Sequence, residues 1–397
     1  MRYAPVLDRL SGLGGAKWEV HFAARDMLRE GRDVIDLTIG NPDVTAPAAL
    51  VESAAAAMRA GRTEYSNGRG EEGLRAALAR RYAQRTGRRI TDGQVLCFPG
   101  TQTALYAVIM GIAEPGSEVL VGDPMYATYE AVIRAGGAVP VPVPLRPGRG
   151  FRLAAEDVAA RVTPRSRAIL INTPHNPTGA VLSEADIDAL GAVAQAEDLW
   201  MVVDEVYEEL VFDGVRFVSP LARADLADRV VVVSSISKSH AAPGFRSGWC
   251  IGSESFCDHL LPLSETMLFG NQPFIADMTE LAIAAPSEAA AGMRRRFAAR
   301  AALLGGRFEG ETRLRANRPE AGMFALVDIR PTGMDDRQYA FDLLQRGGVA
   351  VMPGSAFGAT LAGFVRIALT VDDAAFARAC DRIVAHARTC TLQEIAQ

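Results

Sequence analysis

Hydrophobic positions fall into two kinds of run along this chain. Between about residue 45 and residue 290, short β-branched runs alternate with longer Ala/Leu-rich stretches. The runs are QVLCF (94–98), EVLVG (118–122), AVPVPVPL (138–145), RAILIN (167–172), LWMVVD (199–204) and RVVVVSS (229–235). They are too short for helices, and most are too apolar to alternate, so they predict strands of a mainly parallel sheet covered on both faces. TQTALYAVIMGIAE, from residue 101, and the segment from Ser183 have helical spacing. Pro115-Gly116 stops the first, and Ser183 with Asp186 sits like a capping pair at the start of the second. This βαβ rhythm predicts an α/β domain over 45–290, with ligands at the carboxyl ends of its strands.

Beyond residue 290 the pattern changes. A long Arg/Ala helix (about 287–308) leads into GMFALVDI, then a helix, VAVMPG, FVRIAL and a last helix. These predict a smaller α+β domain over 291–397. Residues 1–44, in which the pattern shows one helix and no sheet of their own, are assigned to it. A length of 397 residues suits two domains better than one core.

Composition narrows the function. A net charge of -5 gives no basic footprint for nucleic acid. The five cysteines are scattered, and no CxxC, HExxH or acidic calcium loop is present, so no metal site is expected. The opening MRYAPVLDRL has no signal pattern, and no window reaches the roughly 18 apolar residues of a membrane span. Cytoplasm is the expected compartment, with no membrane partner. Of the 42 basic residues only two, Lys17 and Lys238, are lysines. Chemistry that needs a side-chain primary amine therefore has two candidates.

Lys238 follows the run RVVVVSSIS, where an α/β domain places its active site. Burial lowers a lysine pKa and frees the amine to attack an aldehyde. Ser235, Ser237 and Arg246 lie close by in sequence and suit a phosphate that anchors such an aldehyde. Asp204 closes an apolar strand, so its carboxylate needs a cationic or hydrogen-bonding partner; a protonated pyridine nitrogen satisfies that need. Tyr207 lies three residues on, within reach of a ring hydroxyl. The loop 172–179 aims Asn176 at the same face. Pro99, Gly100, Thr101 and Gln102 form a strand–helix junction whose free N–H groups suit a phosphate. Taken singly, Asp204 also suits a loop cap, Tyr207 packing, Asn176 a turn and the junction an ordinary connection.

Together the strings GNPD (40–43), PHNPTG (174–179), DEVY (204–207), SISKSH with GFRSGW (235–249) and FVRIAL (364–369) resemble class I/II aminotransferases of the pyridoxal-phosphate fold type I, in the family's order and over essentially the whole chain. The resemblance implies a large domain with a mainly parallel seven-stranded sheet between helices, a smaller α+β domain, and pyridoxal 5'-phosphate as cofactor. It implies that Lys238 carries the cofactor and moves the proton. Asp204 then pairs with the ring nitrogen, Tyr207 and Asn176 with the ring oxygen, and Tyr126 stacks on the ring. Gly100, Thr101, Gln102, Ser235, Ser237 and Arg246 take the phosphate. Arg366, with Asn176 and the Gly40 N–H beside it, takes the substrate α-carboxylate. Tyr65, in EYSNGRG, matches the tyrosine that reaches a neighbouring subunit's cofactor, which implies a homodimer with shared active sites.

Asn41 stands where the family often has Glu, and Ala242-Pro243 where Met-Thr is common; neither change removes a functional group. Thr101 occupies the place of a lysine that one bacterial aspartate-specific branch uses for the second carboxylate, so that version of a dicarboxylate site is absent. MRY, WEVH, MYATYEAV, VPVPV, GFR (150–152), TPHNP and VDIRPTG (327–333) are most similar to the arginine–pyruvate transaminase branch. The resemblance implies a basic or polar amino donor and pyruvate as acceptor in a ping-pong cycle. Trp18 and Glu19 fall in the segment that crosses the substrate mouth, where Glu19 suits either a guanidinium or solvent. An aspartate or aromatic aminotransferase and a C–S β-lyase keep the same cofactor residues. A pyridoxal-phosphate-binding regulator is disfavoured, because no basic recognition helix precedes Gly40.

Overall fold

The computed structural model describes residues 1–13 and 15–390; Gly14 and the stretch 391–397, the end of the predicted small domain, lie outside the described residues. In chain order the strands are β1 (Ile35–Asp36), β2 (Val95–Phe98), β3 (Glu118–Asp123), β4 (Val139–Pro144), β5 (Ser166–Asn172), β6 (Trp200–Asp204) and β7 (Val230–Ser235). They continue as β8 (Gly248–Ile251), β9 (Arg315–Asn317), β10 (Phe324–Asp328), β11 (Val349–Ala350), β12 (Met352–Pro353) and β13 (Phe364–Ala368).

Seven strands form one sheet in the order β2-β8-β7-β6-β5-β3-β4. The five from β7 to β4 are parallel, and β8 runs antiparallel to both of its neighbours. All six apolar runs are strands. The seventh, β8, did not stand out in the pattern because it is four residues long and begins on a glycine.

Burial on both faces explains why these runs do not alternate. Leu120, Ile169, Ile171, Met201, Val203, Val230 and Val232 face one apolar cluster, while Val119, Val121, Leu170, Val202, Val231 and Val233 face another. The period of two survives, with apolar residues on both sides. The helix Thr101–Ile112 covers one face with Ala104, Leu105 and Val108. The helix Glu184–Ala196 covers the other with Ile187, Leu190 and Ala194. Its cap is the predicted one: Ser183 Oγ accepts from the Asp186 N–H at 3.2 Å, and Asp186 accepts from the Ser183 N–H at 2.8 Å.

β4 tolerates three prolines because it is an edge strand. The N–H groups of Val139 and Leu145 point into the sheet, toward Ser117 and Asp123. Pro140, Pro142 and Pro144 therefore place their missing donors on the open side.

A second sheet, β12-β13-β10-β9, is antiparallel. The helices Glu288–Phe308 and Asp373–Thr389 pack on it through Met293, Phe297, Leu304, Phe376 and Ile383. Residues near the amino end join this cluster. The helix Glu19–Arg29 buries Val20, Ala24 and Met27 on one stripe, and β1 pairs in parallel with β11. The expectation of a single helix here is corrected to two. The first, Pro5–Leu10, buries none of its residues and so leaves no amphipathic signature. Among the described residues no helix is long and apolar enough to cross a membrane. The five cysteines are buried and unpaired.

Candidate active site

Three neighbouring parallel strands end in polar residues: β5 in Asn172, β6 in Asp204 and β7 in Ser235. Asn172 lies opposite Asp204 in the ladder, donates from Nδ2 to the Asp204 carbonyl at 3.0 Å, and accepts the Asn176 N–H at 2.8 Å. The Asp204 side chain is buried among apolar strands, yet both its oxygens are held. The Tyr129 hydroxyl donates to Oδ2 at 2.7 Å and the Val206 N–H to Oδ1 at 3.0 Å. Burial raises this carboxyl to about 6, against the pull of those two donors.

Lys238 sits on the short helix Ile236–Ser239, directly after β7. Its Nζ donates to the Gly40 carbonyl at 3.0 Å. Burial first, then the positive fields of Arg366 and Arg246, lower its pKa to about 8. Lys17 instead pairs with Glu130 at 3.4 Å and does not line the cavity that Lys238 enters.

Between β2 and the helix Thr101–Ile112, Gly100 takes a φ of 87°, and a Cβ there would lie 2.3 Å from Arg246 Nη2. Only glycine lets the two segments meet so closely. Arg246 donates to the carbonyls of Pro243 at 2.7 Å and Pro99 at 3.3 Å, which fixes its guanidinium beside the free N–H groups of the helix start. Thr101 Oγ1 is buried there without a partner. With Ser235 and Ser237 opposite, this is a cradle for a dianion.

On the far side Arg366 rises from β13 with 2% of its surface exposed. Nη2 donates to the Thr38 carbonyl at 2.5 Å and Nη1 to Asn176 Oδ1 at 3.2 Å, while Nε has no partner. Among the described residues no carboxylate neutralises it, and burial lowers its pKa to about 10. Asn176 Nδ2 in turn donates to the Tyr207 hydroxyl at 3.4 Å.

Trp18, Gly40, Thr101, Gln102, Tyr126, Asn176, Asp204, Tyr207, Ser235, Ser237, Lys238, Arg246 and Arg366 together line one cavity of about 340 Å³. Gly100 lies just behind the Arg246 end of it. Two predicted residues lie elsewhere. Glu19 turns outward and pairs with Arg337 on the surface, so its expected place at the substrate mouth is corrected. An arginine within reach outcompetes an uncompensated carboxylate in a cavity. Tyr65 is 92% exposed with its ring against Phe269, and does not enter this chain's own cavity. Sequence reasoning missed Tyr129, Asn172, Thr38 and Phe324. Tyr129 alone left a signal, since its spacing of three from Tyr126 places both rings on the same side of the turn.

The sequence profile described as aminotransferase class I and II matches residues 32–383. The chain is 43% identical to an arginine–pyruvate transaminase of Pseudomonas aeruginosa, over 96% of this chain and 97% of that protein. It is 32% identical to an aspartate/prephenate aminotransferase of Thermus thermophilus, over 91% and 93% of the two chains. The crystal structure of an aspartate aminotransferase from Rhizobium meliloti superposes with a TM-score of 0.92 at 27% identity, over 98% of this chain and all of that one.

Proposed function

This chain belongs to the class I and II aminotransferases, and we propose that it moves the amino group of L-arginine, or a closely related polar donor, to pyruvate in a ping-pong cycle with pyridoxal 5'-phosphate. The observation that carries the cofactor assignment is the convergence of Lys238, Asp204, Arg246 and Arg366 on one cavity.

The residues present fit the cofactor. The buried, partnerless Thr101 hydroxyl, the helix start and Arg246 form a dianion cradle at one end. The same cavity holds a carboxylate bound by Tyr129 and a lysine with a lowered pKa. Pyridoxal phosphate, when bound, supplies an aldehyde that receives an amine and a cationic ring that stores an electron pair.

The chain's own groups do the rest. Asp204, ionised above about 6, would hold its negative charge toward the ring nitrogen. Tyr207 and Asn176 would hold the ring oxygen, and Tyr126 would cover the ring. Lys238 Nζ, its pKa lowered to about 8, would be poised to take a proton from the substrate α-carbon and deliver it to the carbon on the other side of the amino nitrogen. Arg366 receives the α-carboxylate as a two-point fork.

The donor is inferred from the relative and from what the cavity holds. Its cationic residues are Lys238, Arg246 and Arg366, each already assigned, so a second substrate carboxylate finds no further cation among the described residues that line it. Its one carboxylate, Asp204, is likewise assigned. A guanidinium is then recognised by uncharged groups, stacking on Trp18 and meeting Asn41 and Gln102. Two copies of the chain form a dimer in which the exposed Tyr65 completes the partner's phosphate site. The five buried, unpaired thiols suit the cytoplasm.

Steady-state rates with each of the twenty amino acids and pyruvate test the donor. Arginine in the leading group supports it; an inert arginine beside a leading aspartate or glutamate overturns it. Product analysis separates a C–S β-lyase, which would release pyruvate and ammonia from cystathionine.

A further inference from the structure

We propose that Phe324 is a positioning residue that holds the Arg366 fork in its carboxylate-binding pose, an assignment that rests on Arg366 being the carboxylate-binding group. Arg366 is a cation in an unusual place. It is buried, its polar contacts are the Thr38 carbonyl and the Asn176 amide oxygen, and among the described residues no anion stands against it. Two phenyl rings take the remaining space: the guanidinium carbon lies 3.9 Å from the Phe324 ring centroid and 4.4 Å from that of Phe357. Aromatic faces carry negative charge density and attract a cation most strongly where water is excluded.

Strand geometry explains the placement of Phe324. Leu326 on β10 lies directly opposite Arg366 on β13. Phe324 is two residues further along, so it shares that face and reaches Arg366 as a diagonal neighbour. Its far edge is fixed as well. A Cβ at Gly40 would lie 2.3 Å from Phe324 Cζ and 2.8 Å from the nearer Cε, so the ring is wedged between Gly40 and the guanidinium. Gly40 also offers the carbonyl that holds Lys238 Nζ. Phe357 is tied differently: its carbonyl accepts the Met125 N–H at 2.8 Å, beside Tyr126.

A ring that served only as core filling would affect stability and leave carboxylate recognition alone. Phe324→Leu keeps an apolar side chain and removes the π face. The probe is propionate, with propionamide as its uncharged counterpart, each titrated into protein loaded with pyridoxal phosphate and followed by the visible absorption of the cofactor. The expected result is a propionate dissociation constant raised about tenfold or more, propionamide binding unchanged, and KM for the amino donor raised with kcat within about twofold. In an Arg366→Lys background, Phe324→Leu has no further effect. Phe357→Leu repeats the pattern at smaller size, and decides the question by the same comparison if Phe324→Leu does not fold.

Unchanged propionate binding in a folded variant, equal losses for propionate and propionamide, or losses that add to those of Arg366→Lys would each overturn the assignment. If Arg366→Lys alone binds propionate as tightly as the unaltered protein, the reading of Arg366 fails first, and the role of Phe324 goes with it.

Discussion

The cavity wall built by β5, β6 and β7 and the wall built by β10, β13 and the N-terminal segment hold their polar groups in different ways. On the first wall, adjacent strands end in Asn172, Asp204 and Ser235, and the ladder itself sets their spacing. Short local bonds from Tyr129, Val206 and Asn172 then fix the carboxylate and the loop. On the second wall, Arg366 is held by the Thr38 carbonyl, by an amide from the opposite wall and by two phenyl faces, all but Phe357 distant in sequence. Under the proposed function, the first wall fixes charges against the cofactor, and the second keeps a cation short of partners for a substrate to supply.

If the first wall fixes charge, removing one charge there should have the largest effect. Asp204→Asn keeps the shape and loses the ionised partner; kcat should fall about 10³-fold, with KM little changed, as measured by single-turnover absorbance. A loss of less than tenfold would mean that Asp204 only caps the loop. If the second wall exists to recognise a carboxylate, Arg366→Lys should act mainly on KM. The bidentate, charge-assisted contact corresponds to about 10- to 100-fold, read as KM for donor and acceptor alike.

The pKa of Lys238 sharpens the comparison, because it belongs to the first wall but is lowered partly by Arg366 of the second. Burial and neighbouring cations favour the uncharged amine, so the reactive fraction rises as pH rises through about 8. Capture of pyridoxal phosphate by cofactor-free protein should therefore accelerate about tenfold from pH 7 to 9 and then level. Stopped-flow absorbance checks this; a rate still climbing steeply near pH 10.5 would show an unperturbed amine. The smallest effects belong to the mouth. Trp18→Leu should raise KM for arginine about fivefold through lost stacking. Glu19→Gln should change it by less than about twofold, since a surface pair with Arg337 contributes little.

How much of this was legible in the sequence follows the same division. Six strands announced themselves by apolar runs, and Asp204, Lys238 and Asn176 could be placed because each closes such a run or follows one within a few residues. Local order in the chain became local order in space. Arg366 was identified only through its resemblance to a family string, since nothing in FVRIAL says what the arginine faces. Phe324 and Thr38 were invisible because their importance comes from contacts across the fold, 42 and 328 residues from Arg366. Glu19 was misplaced for the converse reason. Its neighbour Trp18 does line the cavity, but the turn into the helix Glu19–Arg29 points the carboxylate at Arg337.

With two lysines in the chain, one measurement addresses the central claim directly. The purified protein is loaded with pyridoxal phosphate, reduced with borohydride, digested and mapped by mass spectrometry, alongside a Lys238→Ala control. A single reduced adduct on Lys238 and a visible aldehyde-type band before reduction are expected, with neither in the control. An adduct on Lys17, or none on Lys238, would contradict that claim.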